Sequence, residues 1–257
     1  MTPMLTRVAA HVHSEWSYDA KWPLARLAEA FSRRGCRALL MTEHQNGFSE
    51  ARWREYRAAC RSASNDRILL VPGIEYSDPS NTIHILVWGD LRFWAEEVVV
   101  ARLLGYVAQN GGAAVFAHPS RRAAWRLFQD EWEKSLVGIE LWNRKTDGWA
   151  PSPEAGRLLS RVGAMPFAGL DFHDFRQFFP LTSTLELELP VSEASVISCL
   201  RQKRFRSYFL GMPAEPLHGG FRGWTLSLAE RARRLARPLA RAVRGWRHAR
   251  EGASDPK

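Results

Sequence analysis

Histidines and carboxylates recur in this chain at the ends of short apolar segments. His11 and His13 follow the segment 4–10, and side chains at i and i+2 share one side only on an extended strand. Six of the eight histidines fall on predicted strands or at their ends, namely His11, His13, His44, His84, His118 and His173. Neutral imidazole is a common metal ligand, so this spacing predicts a metal site assembled from several strand ends.

Between these histidines, strand and helix patterns alternate along the chain. Strands are predicted at 4–10, 37–42, 67–73 (extended by 74–76), 82–88, 113–117, 137–142, 166–170 and 181–189. Helices are predicted at 23–34, 49–63, 96–109 and 121–134, after Pro153, and at 193–203. Alternating strands and helices with short connections predict an α/β fold in which helices cover a parallel sheet.

The number of strands that end in polar residues favours a closed or nearly closed barrel over an open sheet. In such barrels the active site lies at the C-terminal ends of the strands. An open doubly wound sheet is the alternative, but no glycine-rich phosphate loop follows the first predicted strand. The sequence therefore favours a barrel with its site at the strand ends.

Three carboxylates occupy positions equivalent to those of the histidines. The nine candidate metal ligands are His11, His13, Asp19, His44, Glu75, His84, His118, Asp171 and His173. A single buried histidine or a carboxylate at a helix start needs no metal, but nine such groups together carry a large desolvation cost that metal ions relieve. Mixed nitrogen and oxygen ligands suit zinc, manganese or iron better than magnesium or calcium.

Six short motifs, in this order, resemble those of the polymerase-and-histidinol-phosphatase (PHP) superfamily. They are H-V-H-S at 11–14, T-E-H at 42–44, G-I-E-Y at 73–76, the histidine of T-I-H-I-L at 82–86, A-H-P at 117–119 and G-L-D-F-H at 169–173. The resemblance covers roughly residues 6 to 209. It implies a distorted, TIM-like (β/α)7 barrel and a cluster of two or three divalent metal ions that hydrolyses phosphoesters.

The resemblance also implies how the ions share their ligands. One ion would take His11, His13, Glu75 and Asp171. A second would share Glu75 and take His84 and His118, and a third would take Asp19, His44 and His173. The chain departs from the family pattern in two places, because Gln45 follows His44 where an acid is frequent and Ala20 follows Asp19.

Glu75, Asp171 and His173 are the predicted catalytic residues. A carboxylate such as Glu75 that bridges two ions would hold them ~3.5–4 Å apart, and metal-bound water would then lose its proton and attack phosphorus. The sequence thus predicts a metal-dependent phosphoesterase that acts on a phosphomonoester or phosphodiester of a small metabolite or nucleotide. Two alternatives stay open: an amidohydrolase-type metal-dependent hydrolase, and a non-catalytic metal-dependent binding module.

Arginines beside the candidate ligands are predicted to bind the phosphate of the substrate. Arg121, Arg144 and Arg176 follow His118, Glu140 and His173 along the chain. A guanidinium group matches a phosphate through two parallel hydrogen bonds. The alternative is that these arginines are solvated at helix starts, and Glu140 itself is predicted to support the ligands or to lie at the substrate rim.

The chain is predicted to comprise a barrel domain, 1–215, and a basic C-terminal helical tail, 216–257. From Thr225 to Lys257 there are nine Lys or Arg residues and three acidic ones. One helical face of the tail carries Leu228, Ala232, Leu235, Leu239, Val243 and Trp246. Such a basic amphipathic helix favours an anionic membrane surface or nucleic acid as partner. The alternative is a helix packed on the barrel with a solvated arginine face.

Cysteine usage and hydropathy bear on location. The three cysteines are far apart and odd in number, which is typical of a reducing compartment. We expect no signal segment and no transmembrane span, since no apolar run approaches the ~20 residues that a span requires. The sequence therefore predicts a cytoplasmic protein that can also lie at the periphery of a membrane.

Overall fold

The computed structural model describes residues 4–188, 190–215 and 223–236, which form an α/β fold. The strands are β1 (Met4–Val12), β2 (Ala38–Met41), β3 (Glu43–His44), β4 (Leu69–Val71), β5 (Gly73–Ser77), β6 (His84–Trp88), β7 (Ala113–Phe116), β8 (Gly138–Asn143), β9 (Met165–Gly169), β10 (Leu181–Leu187), β11 (Phe205–Phe209) and β12 (Met212–Pro213). The α-helices are α1 (Leu24–Ser32), α2 (Glu50–Ala63), α3 (Val100–Gln109), α4 (Pro153–Arg161) and α5 (Glu193–Arg201). Residues 223–236 form a further helix, called here the C-terminal helix.

The strands form two mixed six-stranded sheets. Their orders are β12-β11-β10-β1-β2-β4 and β3-β5-β6-β7-β8-β9. The predicted parallel pairing is present between β1 and β2 and between β7 and β8, but β6 pairs antiparallel with both β5 and β7. Residues 78–83, between β5 and β6, are too few for a parallel crossover, which needs about a dozen residues or more. The prediction of a purely parallel sheet was therefore wrong at β6.

Hydrogen bonds join the two sheets beside the strand ends. Leu170 N donates to Ala10 O at 3.0 Å, and Phe172 N donates to His11 O at 3.0 Å. The segment that follows β9 therefore runs alongside the end of β1. The described strands form two sheets rather than one closed ladder, so the predicted closed barrel is not confirmed.

The core lies on both sides of the strands. Along β1, Val8 and Ala10 pack in one apolar cluster, while Ala9 and Val12 pack in a second cluster together with α1 and α2. The predicted apolar stripe of α1 is buried there and comprises Leu24, Leu27, Ala28 and Phe31. From Val8 to Ala10 the alternation follows the period of two along a strand, and the register shift between Ala10 and Val12 then interrupts it at His11.

The predicted helix 121–134 was wrong. The segment forms two short 3-10 helices, Arg121–Leu127 and Asp130–Ser135, and Arg122 and Ala123 have φ values of 50° and 56° inside the first. Within 121–127 only Ala124 is buried. Residues 121–127 therefore lack the buried apolar face whose packing stabilises most α-helices in proteins.

The C-terminal helix is the described part of the predicted basic tail. Leu228 and Leu235, which belong to the predicted apolar face, are 51% and 78% exposed. Leu226 packs against the core instead, and Glu230 is buried. The predicted positions Leu239, Val243 and Trp246 lie outside the described residues. In the described ranges, no helix has both the length and the apolar character needed to cross a bilayer.

Candidate metal centre

The nine predicted ligands lie close together at one edge of the two sheets. Seven of them are buried, His44 is half-buried, and Asp19 is exposed in the loop after β1. His13, His118, Asp171 and His173 follow strand ends, whereas His11 and His44 lie in the last residues of β1 and β3. Glu75 is the middle residue of β5, and His84 is the first residue of β6. Because β6 runs antiparallel to its neighbours, its beginning lies where the other strands end. The topology therefore brings His84 to the same site.

Glu75, on β5, is the centre of the cluster. Its carboxylate oxygens lie within 3.6 Å of ring nitrogens of His84 (2.6 Å), His118 (2.9 Å), His44 (3.0 Å), His13 (3.4 Å) and His11 (3.6 Å). Two other carboxylates complete the site. Asp171 Oδ1 lies 3.8 Å from His11 Nε2, 3.7 Å from His13 Nε2 and 3.3 Å from His173 Nδ1. Asp19 lies 3.2 Å from His44 Nε2 and 3.1 Å from His173 Nε2.

Several buried polar atoms of this cluster have no hydrogen-bond partner. They are His11 Nε2, His13 Nε2 and His118 Nδ1. Buried polar atoms are normally paired, and an unpaired one costs desolvation free energy that nothing repays. The residues present therefore fit divalent metal ions, whose ligation would use these lone pairs.

The donor atoms form three close groups. They are His13–His44–His173, His11–Glu75–His118 and His11–His13–Asp171, and within each group the donor atoms lie within 4.8 Å of one another. These groups overlap the sets implied by the family resemblance. In this geometry, however, His11 also approaches Glu75 and His118, and His13 also approaches His44 and His173.

A buried glutamate orients His11. Glu140 Oε1 lies 2.7 Å from His11 Nδ1, and Glu140 Oε2 accepts hydrogen bonds from His118 N at 2.7 Å and from Asn143 Nδ2 at 2.9 Å. The carboxylate holds a proton on Nδ1, which leaves Nε2 of His11, on the side of Asp171 and Glu75, as the atom that would ligate a metal ion. The predicted supporting role of Glu140 agrees with these contacts.

Glu43 and Ser17, which the sequence analysis missed, hold His13 in a similar way. Ser17 Oγ donates to Glu43 Oε2 at 2.5 Å and lies 3.2 Å from His13 Nδ1, from which it can accept. Ser14 donates to the same carboxylate through its backbone N and its Oγ. The sequence signal that could have identified Glu43 is its position directly before His44. Neighbouring side chains on an extended backbone point to opposite sides, so Glu43 lies behind the site when His44 faces it.

The electrostatics of the cluster follow from burial and close opposite charges. Burial alone would raise the pKa of Glu75, but His84 and His11 outweigh burial and hold that pKa well below its usual range. Burial would lower the pKa of His11, but the carboxylates of Glu140, Asp171 and Glu75 raise it well above the ordinary value. The pKa of His13 is well below the ordinary value, because the side chain is buried and lies near His173 and His44.

Three candidate ligands have positive φ angles. The values are 59° for His11, 27° for His118 and 49° for Asp171. Such a backbone conformation costs about 1–3 kcal/mol per residue, and it persists only where surrounding contacts enforce it. Each of these residues lies where a strand ends, and the turn brings its side chain into the cluster.

A cavity of about 400 Å³ opens beside the cluster. Six of the nine candidate ligands line it, together with the cationic side chains of Arg121 and Lys145. Lys145 Nζ lies 3.3 Å from Asp171 Oδ1, and Arg121 Nη1 lies 3.0 Å from His84 Nε2. Two cations therefore flank a surface otherwise rich in carboxylates.

The other two predicted phosphate-binding arginines lie outside the lining of this cavity. Arg144 places its guanidinium 4.8 Å from the ring centroid of Phe179 and donates to Arg176 O at 3.4 Å. Arg176 places its guanidinium 5.8 Å from the ring centroid of Phe175. The sequence analysis named Arg144, whereas the turn after β8 directs its neighbour Lys145 to the cavity.

Solved structures with the same fold are found for PHP-like proteins. A two-domain protein from Bacteroides vulgatus that contains a predicted PHP-like metal-dependent phosphoesterase aligns at TM-score 0.59 and 18% identity, over 80% of this chain and 65% of that one. PsfC from Pseudomonas syringae aligns at TM-score 0.53 and 14% identity, over 92% and 99% of the two chains. PfuEndoQ, a lesion-specific endonuclease from Pyrococcus furiosus, aligns at TM-score 0.54 and 12% identity, over 77% and 56%.

These alignments agree with the resemblance in the motifs. The chain shares the fold of these three proteins, one of which is described as containing a PHP-like domain, in line with the order of its histidine and carboxylate motifs. It spans 65% of the length of the Bacteroides protein and 56% of the length of the Pyrococcus endonuclease. No family model and no curated protein matches the sequence.

Proposed function

We propose that this chain, which has the PHP fold, is a metal-dependent phosphoesterase that hydrolyses a phosphomonoester or phosphodiester of a small metabolite or nucleotide. The observation that carries the proposal is the cluster of nine ligand-type side chains. Seven of them are buried, and several of their donor atoms have no hydrogen-bond partner. Such a cluster is costly in a folded protein unless it binds cations.

Two or three divalent transition-metal ions, of zinc, manganese or iron, are the proposed cofactors. His11, His13, Glu75 and Asp171 would hold one ion, with the remaining histidines and Asp19 around the others. When bound, such ions supply an activated water and stabilise charge on the phosphoryl oxygens. Glu140 and Ser17 would keep the ring nitrogens of His11 and His13 free to ligate.

The two cations that line the cavity favour a phosphoester over an amide substrate. Arg121 Nη1 donates to Asn81 O at 2.8 Å, and this hydrogen bond holds its guanidinium beside the cavity. Lys145 stands beside Asp171 and His173. Both would bind phosphate oxygens and compensate the negative charge that builds up there. An amide substrate would need no such pair of cations.

We also interpret the two sheets as parts of one distorted (β/α)7 barrel. Only Thr42 separates β2 from β3, and only Pro72 separates β4 from β5, so each pair continues from one sheet into the other. The hydrogen bonds of Leu170 and Phe172 connect the segment after β9 with β1. This interpretation would place all nine candidate ligands at one end of the barrel, where such folds carry their active sites.

The proposed function is tested by metal analysis and a substrate screen. Protein purified without chelators should contain two or three transition-metal ions per chain. Phosphomonoester, phosphodiester and amide model substrates should be assayed with Mn²⁺ and with Zn²⁺, and a phosphoester should be turned over. Less than one ion per chain would contradict the proposal, while turnover of the amide alone would favour the amidohydrolase alternative.

A matched pair of variants tests the assignment of the ligands. Asp171→Asn should lose metal and turnover, because the amide supplies a weaker ligand at a buried position 3.3–3.8 Å from three histidines. Asp66→Asn, at an exposed loop position, is the control and should behave like the unmutated protein. His118→Ala should repeat the result of Asp171→Asn. Full activity in either site variant would refute the assignment.

For the tail, 216–257, we propose binding to an anionic membrane surface, with all nine candidate ligands and both cavity cations supplied by 1–215. The outward side of the C-terminal helix supports this choice over nucleic acid, because Leu228 and Leu235 are 51% and 78% exposed. Exposed leucines would enter a lipid interface, whereas phosphates of nucleic acid offer them nothing. The seven Lys or Arg residues from Thr225 to Lys257 other than Arg233 and Arg234, which pair with Glu230, would add about 1 kcal/mol each near an anionic surface.

Vesicle co-sedimentation tests this surface. The double variant Leu228→Ser/Leu235→Ser should bind phosphatidylserine vesicles more weakly than the unmutated chain, with hydrolysis of a soluble substrate unchanged. Leu210→Ser, at a turn position 65% exposed, is the matched control. Binding to duplex DNA that the leucine changes leave intact, without binding to vesicles, would show the membrane proposal to be wrong.

A further inference from the structure

The C-terminal helix turns an acidic side chain, and not its exposed leucines, toward the rest of the protein. Positions 226, 230 and 233 share one helical face, and positions 228 and 235 lie on the opposite one. Glu230 is 5% exposed and accepts from Arg233 at 2.6 and 2.7 Å and from Arg234 Nε at 2.7 Å. These cations hold the pKa of Glu230 low, at about 2, although burial opposes them. Glu230 is therefore ionised at neutral pH.

This helix forms hydrogen bonds with the backbone of the loop that follows β8. Trp149 N donates to Glu230 Oε2 at 3.0 Å, and Arg234 Nη2 donates to Asp147 O at 3.2 Å. Gly148, between them, has a φ of 84°, and a β-carbon there would overlap the Glu230 carboxylate. The helix thus holds three consecutive residues of the loop, and the glycine allows the close approach.

The same loop is anchored at its other side to the candidate metal centre. The buried Asp147 carboxylate accepts from Ser120 Oγ at 2.5 Å and from Asn143 N at 2.7 Å. Asn143 in turn donates to Glu140, the residue that orients His11. From the middle of this loop, Lys145 reaches the cavity, where its Nζ lies 3.0 Å from His173 Nε2.

We infer that Glu230 is a positioning residue for Lys145, acting through loop 143–149, so that the C-terminal helix is part of the active-site architecture. The inference rests on the proposed function in one respect, namely that Lys145 binds the phosphate of the substrate. A lysine side chain is flexible, and it binds phosphate well only if the backbone that carries it is held in place. Glu230 supplies that restraint from outside the cavity.

The experiment uses the full chain and compares Glu230→Ala with Glu230→Gln. The alanine removes the hydrogen bond between the side chain at position 230 and Trp149 N, whereas the glutamine can still accept from Trp149 N. Glu29→Ala is the matched control, because it breaks an ion pair with Arg33 (2.6 Å) on an exposed helix surface. Amide hydrogen exchange of residues 143–149 should accelerate at least about threefold in Glu230→Ala, less in Glu230→Gln, and not at all in Glu29→Ala.

The second measurement is the affinity of the metal-loaded protein for inorganic phosphate. Glu230→Ala should weaken it by about three- to tenfold with metal content unchanged, and this loss should vanish when Lys145 is already alanine. A loss of the same size in the Lys145→Ala background would overturn the inference, because Glu230 would then act on the fold and not through the lysine. Unchanged exchange of the loop in Glu230→Ala would also overturn it.

Two further outcomes separate the inference from the proposed function. If the unmutated, metal-loaded protein binds no phosphate, the proposed function fails, while the exchange comparison still decides whether Glu230 holds the loop. If Glu230→Ala does not fold, Glu230→Asp replaces it, since the shorter side chain withdraws the carboxylate from Trp149 N and keeps the charge. Exchange of 143–149 in Glu230→Asp equal to that of the unmutated chain would contradict the inference.

Discussion

Glu140 shows at the scale of single residues how much of the candidate centre depends on side chains beside the ligands. It is fully buried and contacts His11, the backbone of His118 and Asn143. Glu43 serves the loop of His13 in the same manner, through Ser14 and Ser17. Such outer contacts fix the tautomer and orientation of a histidine, and both properties determine its affinity for a metal.

Glu140→Gln should weaken metal binding about 10- to 100-fold while the protein stays folded. The amide can no longer accept through both atoms, so His11 loses the charge that keeps its proton on Nδ1. Competition with a chromophoric chelator measures the affinity. Glu55→Gln, exposed on α2, is the control, and equal affinities for the two variants would mean that His11 is oriented by other groups.

Metal affinity should rise with pH between about 6.5 and 9. Burial lowers the pKa of His44, but hydrogen bonds to Asp19 and Glu75 outweigh it and raise that pKa to about 9 in the metal-free protein. The protonated form of His44 stabilises the metal-free fold fully below pH 6.5, and this contribution is lost as the pH rises through 9. A metal must displace this proton, so binding competes with protonation at lower pH.

Calorimetric titrations in buffers of different ionisation enthalpy would count the protons released on metal binding. His44→Asn should release about one proton fewer than the unmutated protein at pH 7.5, because the raised pKa keeps the imidazole protonated there. An affinity that does not change between pH 6.5 and 9 would contradict the assignment of His44 as a ligand.

At the scale of elements, close approach between neighbouring strands supports the site. Gly169 ends β9 opposite β8, and a β-carbon there would overlap Glu140 Oε1 and come within 2.9 Å of His11 Cβ. The absence of a side chain at this position is what lets Glu140 reach His11. A glycine, which has no side chain, thus determines the orientation of the candidate ligand His11.

Gly169→Ala should therefore lose most of its bound metal, although position 169 supplies no ligand. The methyl group must displace Glu140, and His11 then loses its orienting partner. Gly105→Ala is the control, since a β-carbon at Gly105 in α3 meets nothing within 4 Å and alanine favours a helix by about 1 kcal/mol. Metal content measured by mass spectrometry distinguishes the two, and full occupancy in Gly169→Ala would contradict this account.

At the scale of the whole molecule, the metal centre connects elements that are distant in the chain. Segments from β1, β3, β5, β6 and β7, and the turn after β9, meet around Glu75 and Asp171. Ions bound at this junction would stabilise the native state and not the unfolded chain, because the unfolded chain has no preformed site.

Removal of the metal should lower the melting temperature of the full chain by about 5–10 °C. A ligand at 100 times its dissociation constant stabilises by about 2.7 kcal/mol, and each kcal/mol shifts the midpoint by about 2–4 °C in a protein of this size. Thermal unfolding before and after dialysis against chelator, with Zn²⁺ or Mn²⁺ added back, measures the change. A midpoint that neither treatment moves would show that no ion contributes to the fold.

The sequence by itself determined the local structure and the kinds of residue at the site. The stripe from Leu24 to Phe31 predicts a buried helix face, and α1 confirms it, because the pattern repeats within a few residues. The i, i+2 spacing of His11 and His13 predicts one strand face, but His11 has a φ of 59° and the register of β1 shifts between Ala10 and Val12, so a local bend places the two rings. The nine candidate ligands were predicted from the strand ends and the order of the motifs. Their convergence followed from the rule that strands of a barrel carry a site at one end.

Only the tertiary structure decided the contacts between distant segments. His11 and Glu140 are 129 residues apart in the chain yet 2.7 Å apart in space, and no local pattern encodes such a pair. The choice of Lys145 over Arg144 at the cavity and the inward face of the C-terminal helix are of the same kind. Each depends on which surfaces are left to pack after the strands have paired, and spacing along the chain does not contain that information.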